Sequence, residues 1–268
     1  MSKQGIFIPL ITPLDELGRV CNASVARLVA QSRKSATGYI ACLTSGEGWR
    51  LADHQWEAMV RATLAAARDR IVIVGLERPT TDAVLALALR AEALGARAVM
   101  LTTPFGPAVS RGAMLEHYRR IHDATGLDLY LYNESALSGN ATDFDTLMAV
   151  AELPRVVGIK DSPEQPRTAQ EIEALRSQGL AYYIGWEECL AAGLPNDGNV
   201  VSLANLEPAL CRLAVHHSGP QLHDEILRLA QAYQLGADDW YRYLKLQLRQ
   251  RGIIASDRLV AATEVEVV

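Results

Sequence analysis

The chain has 268 residues, of which 49% are hydrophobic and 21% charged, and its formal net charge is −5. This composition is typical of a globular protein with a sizeable core, arranged as one large domain or two small ones. An acidic chain with its arginines scattered among acids has no basic patch, which argues against nucleic acid as a partner. The first apolar run ends at Pro13, too early for a membrane span or a signal peptide, so we expect a cytoplasmic protein with no membrane partner.

Apolar strands alternate with amphipathic helices along the chain. The predicted strands are, in order, GIFIPLITP, GYIACLTSGE, IVIVGLE, ARAVMLTTP, LDLYLYNE, PRVVGIKDS, LAYYIGWE and NVVSLANLEP. A helix is predicted between successive strands, except that only a short helical segment near ECLAAG separates the last two. The tail QLHDEILRLAQAYQLGADDWYRYLKLQLRQRG predicts two further helices, and the final IIASDRLVAATEVEVV is ambiguous.

Strands that are apolar on both faces and alternate with helices predict a parallel sheet covered by helices. Eight such units favour an α/β fold of the (β/α)8 TIM barrel type with extra C-terminal helices. Residues 1–208 would form the barrel core, and residues 209–268 would add the last barrel helix and a helical extension of the same domain. The alternative is an open Rossmann-like sheet, but no GxGxxG follows any strand.

In such a barrel the chemistry lies at the carboxyl ends of the strands. Polar and aromatic residues follow most of the predicted strands, namely Thr44, Ser45 and Glu47; Pro104 to Gly106; Tyr132 and Asn133; Lys160 and Ser162; Trp186 to Glu188; Ser202 and Asn205. These positions are the candidates for a functional site.

Lys160 ends the apolar run VVGIK and is one of only four lysines among 26 basic residues. If Val157 and Ile159 face the helices, alternation directs Lys160 into the barrel, and Gly158 leaves space beneath it. Tyr132 occupies the equivalent place on the preceding strand. Because neighbouring parallel strands lie about 4.8 Å apart, both side chains could reach one small substrate.

A lysine in a dry barrel should have its pKa lowered from about 10.4 towards neutrality. The neutral amine can condense with a ketone to form an imine, an electron sink that arginine cannot provide. The alternative is a structural lysine that reaches out of the barrel mouth or pairs with Asp161. The other lysines, Lys3, Lys34 and Lys245, are predicted to be ordinary solvated charges.

Three motifs, TSGE, YN and GIKDS, resemble those of the dihydrodipicolinate synthase and N-acetylneuraminate lyase superfamily of class I aldolases. The resemblance runs from PLITPLDELG to SLANLEP. It implies that Lys160 forms a Schiff base with pyruvate or another 2-oxo acid and that Tyr132 is the acid/base. It also implies that Thr44 and Ser45 bind the carboxylate and relay protons. By the same resemblance we expect no cofactor, an aldehyde as second substrate, and a homodimer or homotetramer.

Two departures from the family pattern alter these expectations. In YNESALSG, Ser135 stands where many members have proline, and Leu137 stands where the synthases have an arginine that grips the second substrate, which argues against a true dihydrodipicolinate synthase. In PFG, Gly106 replaces the tyrosine that reaches a neighbouring subunit's proton relay. Tyr132 must then exchange protons through Thr44 alone, a water or a substrate hydroxyl.

The GWEE segment resembles the GYDE of sugar-acid lyases, whose acidic pair holds substrate hydroxyls. Glu187 and Glu188 are therefore candidate substrate-binding residues, together with Ser162 and Ser202. The alternative is that the two glutamates simply begin a helix, where acidic side chains are favoured by the helix dipole. Glu134 is predicted to be a solvated loop acid.

Other mechanisms find less support in the sequence. All six histidines fall on predicted helices, so we expect no metal site. The four cysteines are widely spaced and are predicted to be reduced, structural thiols. Glu47 is predicted to anchor its turn by hydrogen bonds rather than to act as a general base.

Two functions of different classes remain open. The first is a Schiff-base lyase or aldolase that cleaves or forms a C–C bond of a 2-oxo acid, or dehydrates one. The second is a catalytically degenerate barrel that serves as a small-molecule binding or scaffold protein.

Overall fold

Eight parallel strands close into a barrel in which each strand pairs with its neighbours in chain order. The computed structural model describes residues 4–106 and 108–261, so Lys3 and the end of the ambiguous C-terminal segment lie outside the described residues. The strands are β1 (Gly5–Pro9), β2 (Ala36–Ala41), β3 (Ile71–Leu76), β4 (Ala98–Thr102), β5 (Asp128–Asn133), β6 (Val156–Asp161), β7 (Ala181–Ile184) and β8 (Gly198–Asn199). The predicted (β/α)8 TIM barrel is confirmed.

Helices surround the barrel and extend its C-terminal part. They are α1 (Asn22–Ser32), α2 (Asp53–Ala67), α3 (Thr81–Ala93), α4 (Arg111–Ala124), α5 (Phe144–Ala151), α6 (Ala169–Ser177), α7 (Pro208–His216), α8 (Pro220–Ala232) and α9 (Trp240–Gln250). Helices α8 and α9 confirm the two predicted for the tail. Between β7 and β8 the chain makes a 3₁₀ turn at Glu187–Cys189. No helix within residues 4–106 and 108–261 is long and apolar enough to cross a bilayer.

The core has two layers, as a filled barrel requires. Inside the barrel, the ring of Phe7 packs edge-on against Tyr183 with 5.3 Å between ring centroids, and Tyr130 lies beside both rings. The larger layer lies between the sheet and the helices and consists of buried Ile, Leu, Val and Ala side chains. Each large apolar side chain buried there stabilises the fold by about 1.5–3 kcal/mol.

A bulge interrupts the pairing of β5 with β6. Leu129 pairs with Val156 and Tyr130 pairs with Gly158, so Val157 has no partner of its own on β5. Val157 packs against the cluster inside the barrel, whereas strict alternation predicts that it faces the helices. The prediction is wrong at this residue because a bulge inserts one residue and shifts the alternation.

Beyond the bulge the predicted alternation is restored. Ile159 packs in the layer between sheet and helices, and Lys160 pairs in register with Tyr132. The ring of Tyr130 occupies the space beneath Lys160, since a Cβ added to Gly158 would lie 2.8 Å from the ring. The bulge therefore determines which residues of β6, Lys160 among them, face the interior of the barrel.

Lys245 on α9 is completely buried, whereas the sequence predicts a solvated charge. Its ammonium donates to the Glu47 carboxylate and, at 2.9 Å, to the carbonyl of Arg258. The second carboxylate oxygen of Glu47 accepts a hydrogen bond from the backbone N–H of Val260 at 2.9 Å. Glu47 thus holds α9 and the C-terminal segment against the turn after β2, which goes beyond anchoring its own turn. The prediction for Lys245 is wrong because a partner almost 200 positions away offsets the cost of burial.

Candidate active site

A cavity of about 450 Å³ opens at the carboxyl end of the barrel. Its polar lining comes from strands or turns that are far apart in sequence: Thr44, Ser45, Tyr132, Lys160, Glu187 and Ser202. The structure therefore brings together six of the eight candidate site residues. Their convergence follows from the parallel barrel, which directs the ends of all strands to one face.

Lys160 is the central basic group of this cavity. It is 5% exposed, and its Nζ lies 3.7 Å from the centroid of the Tyr132 ring. Burial lowers the pKa of Lys160 to about 8, although the nearby carboxyls of Glu77, Glu134 and Glu187 favour the charged form. A substantial fraction of the amine is therefore neutral near physiological pH, and a neutral amine is the nucleophilic form.

Asp161, the alternative partner of Lys160, is engaged elsewhere. Its carboxylate accepts hydrogen bonds of 2.5, 2.7 and 3.0 Å from Arg167, Asn133 and Tyr182. Among the described residues, Lys160 takes part in none of the ion pairs. The lysine is thus neither a partner of Asp161 nor a charge that reaches solvent.

Three side chains form a series of close polar contacts that runs from Tyr132, beside Lys160, through Thr44 to Glu77 at the end of β3. The hydroxyl of Thr44 lies 3.4 Å from the hydroxyl of Tyr132 and donates a 2.5 Å hydrogen bond to Oε1 of Glu77. Burial raises the pKa of Tyr132 well above its usual range, and the charges of Glu134 and Glu77 add to the effect. Tyr132 therefore holds its proton at neutral pH.

Of these three residues, Glu77 is the one that the sequence analysis did not predict. It directly follows β3, is 1% exposed, and has its pKa raised to about 8 by burial. The signal was present, because IVIVGLE ends an apolar strand with an acid just as VVGIK ends one with a base.

Two serines and one glutamate line the side of the cavity. The hydroxyls of Ser45 and Ser202 lie 2.9 Å apart, and Ser45 is 2% exposed. Glu187 accepts a hydrogen bond from the backbone N–H of Leu203 at 2.9 Å, and burial raises its pKa. These hydroxyls can donate to a substrate carboxylate, and Glu187 can accept from a substrate hydroxyl.

The two remaining candidates do not reach the cavity. Ser162 is buried with its hydroxyl against the backbone of Gly185, where an added Cβ would lie only 2.0 Å away. Glu188 is exposed and points away from the lining. The turn at this point places only Glu187 inward.

Glu134 is buried rather than solvated, contrary to the sequence prediction. It lines the cavity and is 5% exposed. Its carboxylate accepts hydrogen bonds from the backbone N–H groups of Leu137 and Ser138, at 2.8 and 3.2 Å. The short turn that follows β5 folds back onto its own glutamate, which pattern alone does not reveal.

The outer part of the cavity is largely apolar. Its wall is formed by Trp49, Leu137, Trp186, Leu235 and Trp240. Two of these residues belong to the connection from α8 to α9 and to the start of α9, so the C-terminal extension covers the mouth of the barrel. A substrate bound at Lys160 would extend past this wall.

The described residues offer neither a set of metal ligands nor a reactive thiol. Among the described residues, no three His, Cys, Asp or Glu side chains converge as a metal site would require. The four cysteines are free, and burial raises the thiol pKa of Cys42 and Cys211. Such thiols are poor nucleophiles.

Comparisons with known proteins agree with this geometry. The model of the dihydrodipicolinate synthetase family matches residues 2–260. The 4-hydroxy-tetrahydrodipicolinate synthase of Anaplasma marginale is 31% identical over 214 residues, which cover 78% of this chain and 71% of the relative. A DapA-like lyase of Halobacterium salinarum is 30% identical over 217 residues, covering 78% and 70%.

Solved structures show the same architecture. The dihydrodipicolinate synthase of Acinetobacter baumannii, solved with pyruvate, superposes with a TM-score of 0.85 at 26% identity and covers 98% of this chain and 94% of that one. The Escherichia coli protein YagE, also solved with pyruvate, superposes with a TM-score of 0.88 at 19% identity, covering 98% and 93%. At that lower identity the likeness concerns the fold alone.

Proposed function

Because the chain belongs to the dihydrodipicolinate synthetase family, whose members are class I aldolases and lyases, we propose that Lys160 forms a Schiff base with pyruvate or another 2-oxo acid. The enzyme then makes or breaks a C–C bond next to the imine, or dehydrates the bound acid. The observation that carries this proposal is a buried lysine that has no ion-pair partner among the described residues, whose pKa is lowered to about 8 and whose Nζ lies 3.7 Å from the centroid of the Tyr132 ring. The A. baumannii relative was solved with pyruvate, which supports a 2-oxo acid as the first substrate.

Each polar group of the cavity has a task in this reaction. The neutral amine of Lys160 attacks the carbonyl carbon, and Tyr132 moves the proton from nitrogen to oxygen and then protonates the departing hydroxyl, so that water leaves. The hydroxyl of Ser45 donates to the substrate carboxylate, and Ser202 holds Ser45 in place at 2.9 Å. The resulting iminium withdraws electrons from the adjacent carbon, which can then lose a proton or a carbon substituent.

The outer wall supports a particular class of second substrate. It presents three tryptophans, and Leu137 lies where the synthases have an arginine. Glu187 lines the cavity without its neighbour Glu188, so the acidic pair of the sugar-acid lyases is reduced to one member here; Glu134 and Asp238 are the other acids of the lining. We therefore expect an aldehyde whose distal part is apolar, because apolar surface buried against tryptophan contributes to binding.

The first experiment is intact-protein mass spectrometry after incubation with pyruvate and borohydride. Wild type should gain the mass of one reduced pyruvyl group, because borohydride traps the imine as a stable secondary amine. Lys160→Ala should gain nothing. Lys34→Ala is the matched control, since Lys34 is an exposed lysine, and it should be labelled like wild type.

An unlabelled wild type would contradict the proposal. If pyruvate and larger 2-oxo acids all fail to label the protein, the degenerate binding or scaffold barrel becomes the better explanation. Labelling that persists in Lys160→Ala would instead assign the imine to another amine.

A further inference from the structure

We propose that Glu77 is the terminal proton carrier of a relay contained in one chain, in which Thr44 connects its carboxyl to the hydroxyl of Tyr132. The inference rests on the proposed Schiff-base function and adds a residue that takes part in it. Glu77 acts through Thr44 and Tyr132 and is therefore a positioning and relay residue that does not touch the substrate.

The Thr44 hydroxyl lies between the two groups that the relay connects. It has a single proton, which it can donate either to Oε1 of Glu77, 2.5 Å away, or to the hydroxyl of Tyr132, 3.4 Å away. While it donates to Glu77, it can accept from Tyr132. When Tyr132 loses its proton, the same three groups can reverse: Glu77 donates to Thr44, and Thr44 donates to Tyr132. The longer contact is of the kind that tightens once a substrate is bound.

Among the described residues, no cation forms an ion pair with the Glu77 carboxylate. Arg78 directs its guanidinium at the backbone carbonyls of Gly48, Leu51 and Glu77 itself, at 2.9 Å each. Oε2 of Glu77 is buried and has no hydrogen-bond partner among the described residues. A buried acid with one unsatisfied oxygen costs stability, and a glutamine could accept from Thr44 equally well. The ionisable carboxyl therefore points to a functional role rather than a structural one.

Three charged groups act on the Glu77 carboxyl. Burial is the largest influence and raises its pKa to about 8. Glu134 also raises the pKa, whereas the hydrogen bond from Thr44 and the charges of Lys160 and Arg78 lower it. Lys160, with its pKa lowered to about 8, titrates in the same range. A single proton on these two groups can reside on either one, giving ammonium and carboxylate or amine and carboxylic acid.

The reactive form has a neutral Lys160 amine and a protonated Glu77 carboxyl, and this carboxyl supplies the proton that the reaction needs. Lys160 adds to the keto carbon, the carbinolamine forms, and its hydroxyl leaves as water with a proton from Tyr132, which Thr44 and then Glu77 replace. The products are a protonated imine, one water and the Glu77 carboxylate. When C3 of the 2-oxo acid loses its proton to Tyr132, the relay returns a proton to Glu77, and the imine becomes a neutral enamine. Each turn thus uses and restores the same carboxyl.

The test measures exchange of the C3 protons of pyruvate with D₂O by NMR, which requires imine and enamine but no second substrate. In wild type the rate should be bell-shaped around pH 8. Below it, Lys160 is protonated and cannot attack; above it, Glu77 has lost the proton that it must supply. Tyr132 does not cause the alkaline limb, because its pKa is raised well above 10.

Glu77→Gln should keep the Thr44 hydrogen bond and remove the carrier. We expect kcat for exchange to fall about 100-fold, within the range of general acid–base catalysis, with KM for pyruvate changed by less than about threefold. The alkaline limb should disappear, and the acid limb should move to lower pH because a carboxyl that raises the Lys160 pKa is gone. Glu152→Gln, which removes an exposed acid, is the matched control and should behave like wild type.

A second variant keeps the test decisive if Glu77→Gln does not fold. Thr44→Val removes the hydroxyl that connects Glu77 to Tyr132, so it should also remove the alkaline limb of the pH profile. The double variant Thr44→Val/Glu77→Gln should exchange C3 protons no more slowly than Thr44→Val alone. The relay would be overturned if Glu77→Gln kept the wild-type pH profile and kcat of exchange. It would also be overturned if the exchange rate of the double variant fell by the product of the two single-variant factors. Either result would leave Schiff-base formation intact. Wild type that shows neither exchange nor borohydride labelling would defeat the proposed function, and the relay with it.

Discussion

At the scale of single residues, the cavity contains ionisable side chains at buried positions where apolar side chains are usual. A lysine and a glutamate each end an otherwise apolar strand, and each has its pKa moved to about 8 because burial disfavours its charged form. The opposite directions of the two shifts bring two groups with very different ordinary pKa values into the same range.

The hydroxyl of Tyr132 gives the residue-scale prediction. Tyr132→Phe keeps the ring beside Lys160 and removes the proton donor, so pyruvate C3 exchange should fall by about 10²–10⁴-fold. The measurement is the NMR exchange rate, with thermal unfolding as a check on the fold. Tyr130→Phe is the matched control, because Tyr130 lies on the same face of β5 and one layer deeper. Equal exchange by Tyr132→Phe and wild type would remove Tyr132 from the mechanism.

Lys160 could be predicted from the sequence because a lysine at the end of an apolar strand stands out locally. Glu77 obeys the same rule and was equally accessible to it. Lys245 was not, since its burial depends on Glu47, which lies far away in sequence and reaches it only in the folded chain. Local pattern therefore finds an unusual residue, but it does not find the partner that makes its burial tolerable.

At the scale of secondary-structure elements, α9 and the turn after β2 form one unit. The Lys245 ammonium joins them through Glu47, whose carboxylate also accepts from Val260. The same turn carries Thr44 and Ser45, so the position of these hydroxyls depends on a helix that begins almost 200 residues later.

The element-scale prediction is that Lys245→Ala lowers the free energy of unfolding by about 3–5 kcal/mol, because the Glu47 carboxylate is left buried and uncompensated. Chemical denaturation measures this loss. Lys34→Ala, at an exposed lysine, should change stability by less than about 0.5 kcal/mol. If both variants lose equally little, the buried pair does not hold the turn. In the folded fraction of Lys245→Ala, KM for pyruvate should rise because Thr44 and Ser45 lose their support.

The order and type of the elements could be predicted because alternating strands and helices have distinct hydrophobic periods. The bulge at Val157 and the shortness of β8 could not. The bulge lies in the pairing of β6 with β5, and beyond β8 the side chain of Asn205 donates to the carbonyl of Pro9 and accepts from the N–H of Ile11. Both features depend on neighbouring strands rather than on the local pattern.

At the scale of the whole molecule, the relay makes each barrel self-sufficient. Glu77, Thr44 and Tyr132 all come from one chain, and Gly106 has no side chain that could reach the relay of a neighbouring subunit. Association of the chain, in whatever number, would then leave the chemistry unchanged.

The whole-molecule prediction concerns two inactive variants expressed together. Glu77→Gln and Lys160→Ala, carrying different tags and purified as a mixed sample, should show only the sum of their separate exchange rates. Each chain lacks a group that its own site requires, and no partner can supply it. Recovery well above that sum would mean that one subunit lends a proton carrier to another. Glu152→Gln expressed with Lys160→Ala is the control and should retain the activity of its own chains.

The wall built by the connection between α8 and α9 has a consequence for how such an enzyme can diverge. The strands hold the lysine and the relay, while Leu235 and Trp240 approach the cavity from a segment that contributes none of those groups. Substitutions or insertions in that segment can therefore alter which molecule fits beside Lys160 while the side chains at the strand ends stay in place. After gene duplication, a barrel of this kind could acquire a new partner molecule through a few changes near its C-terminus.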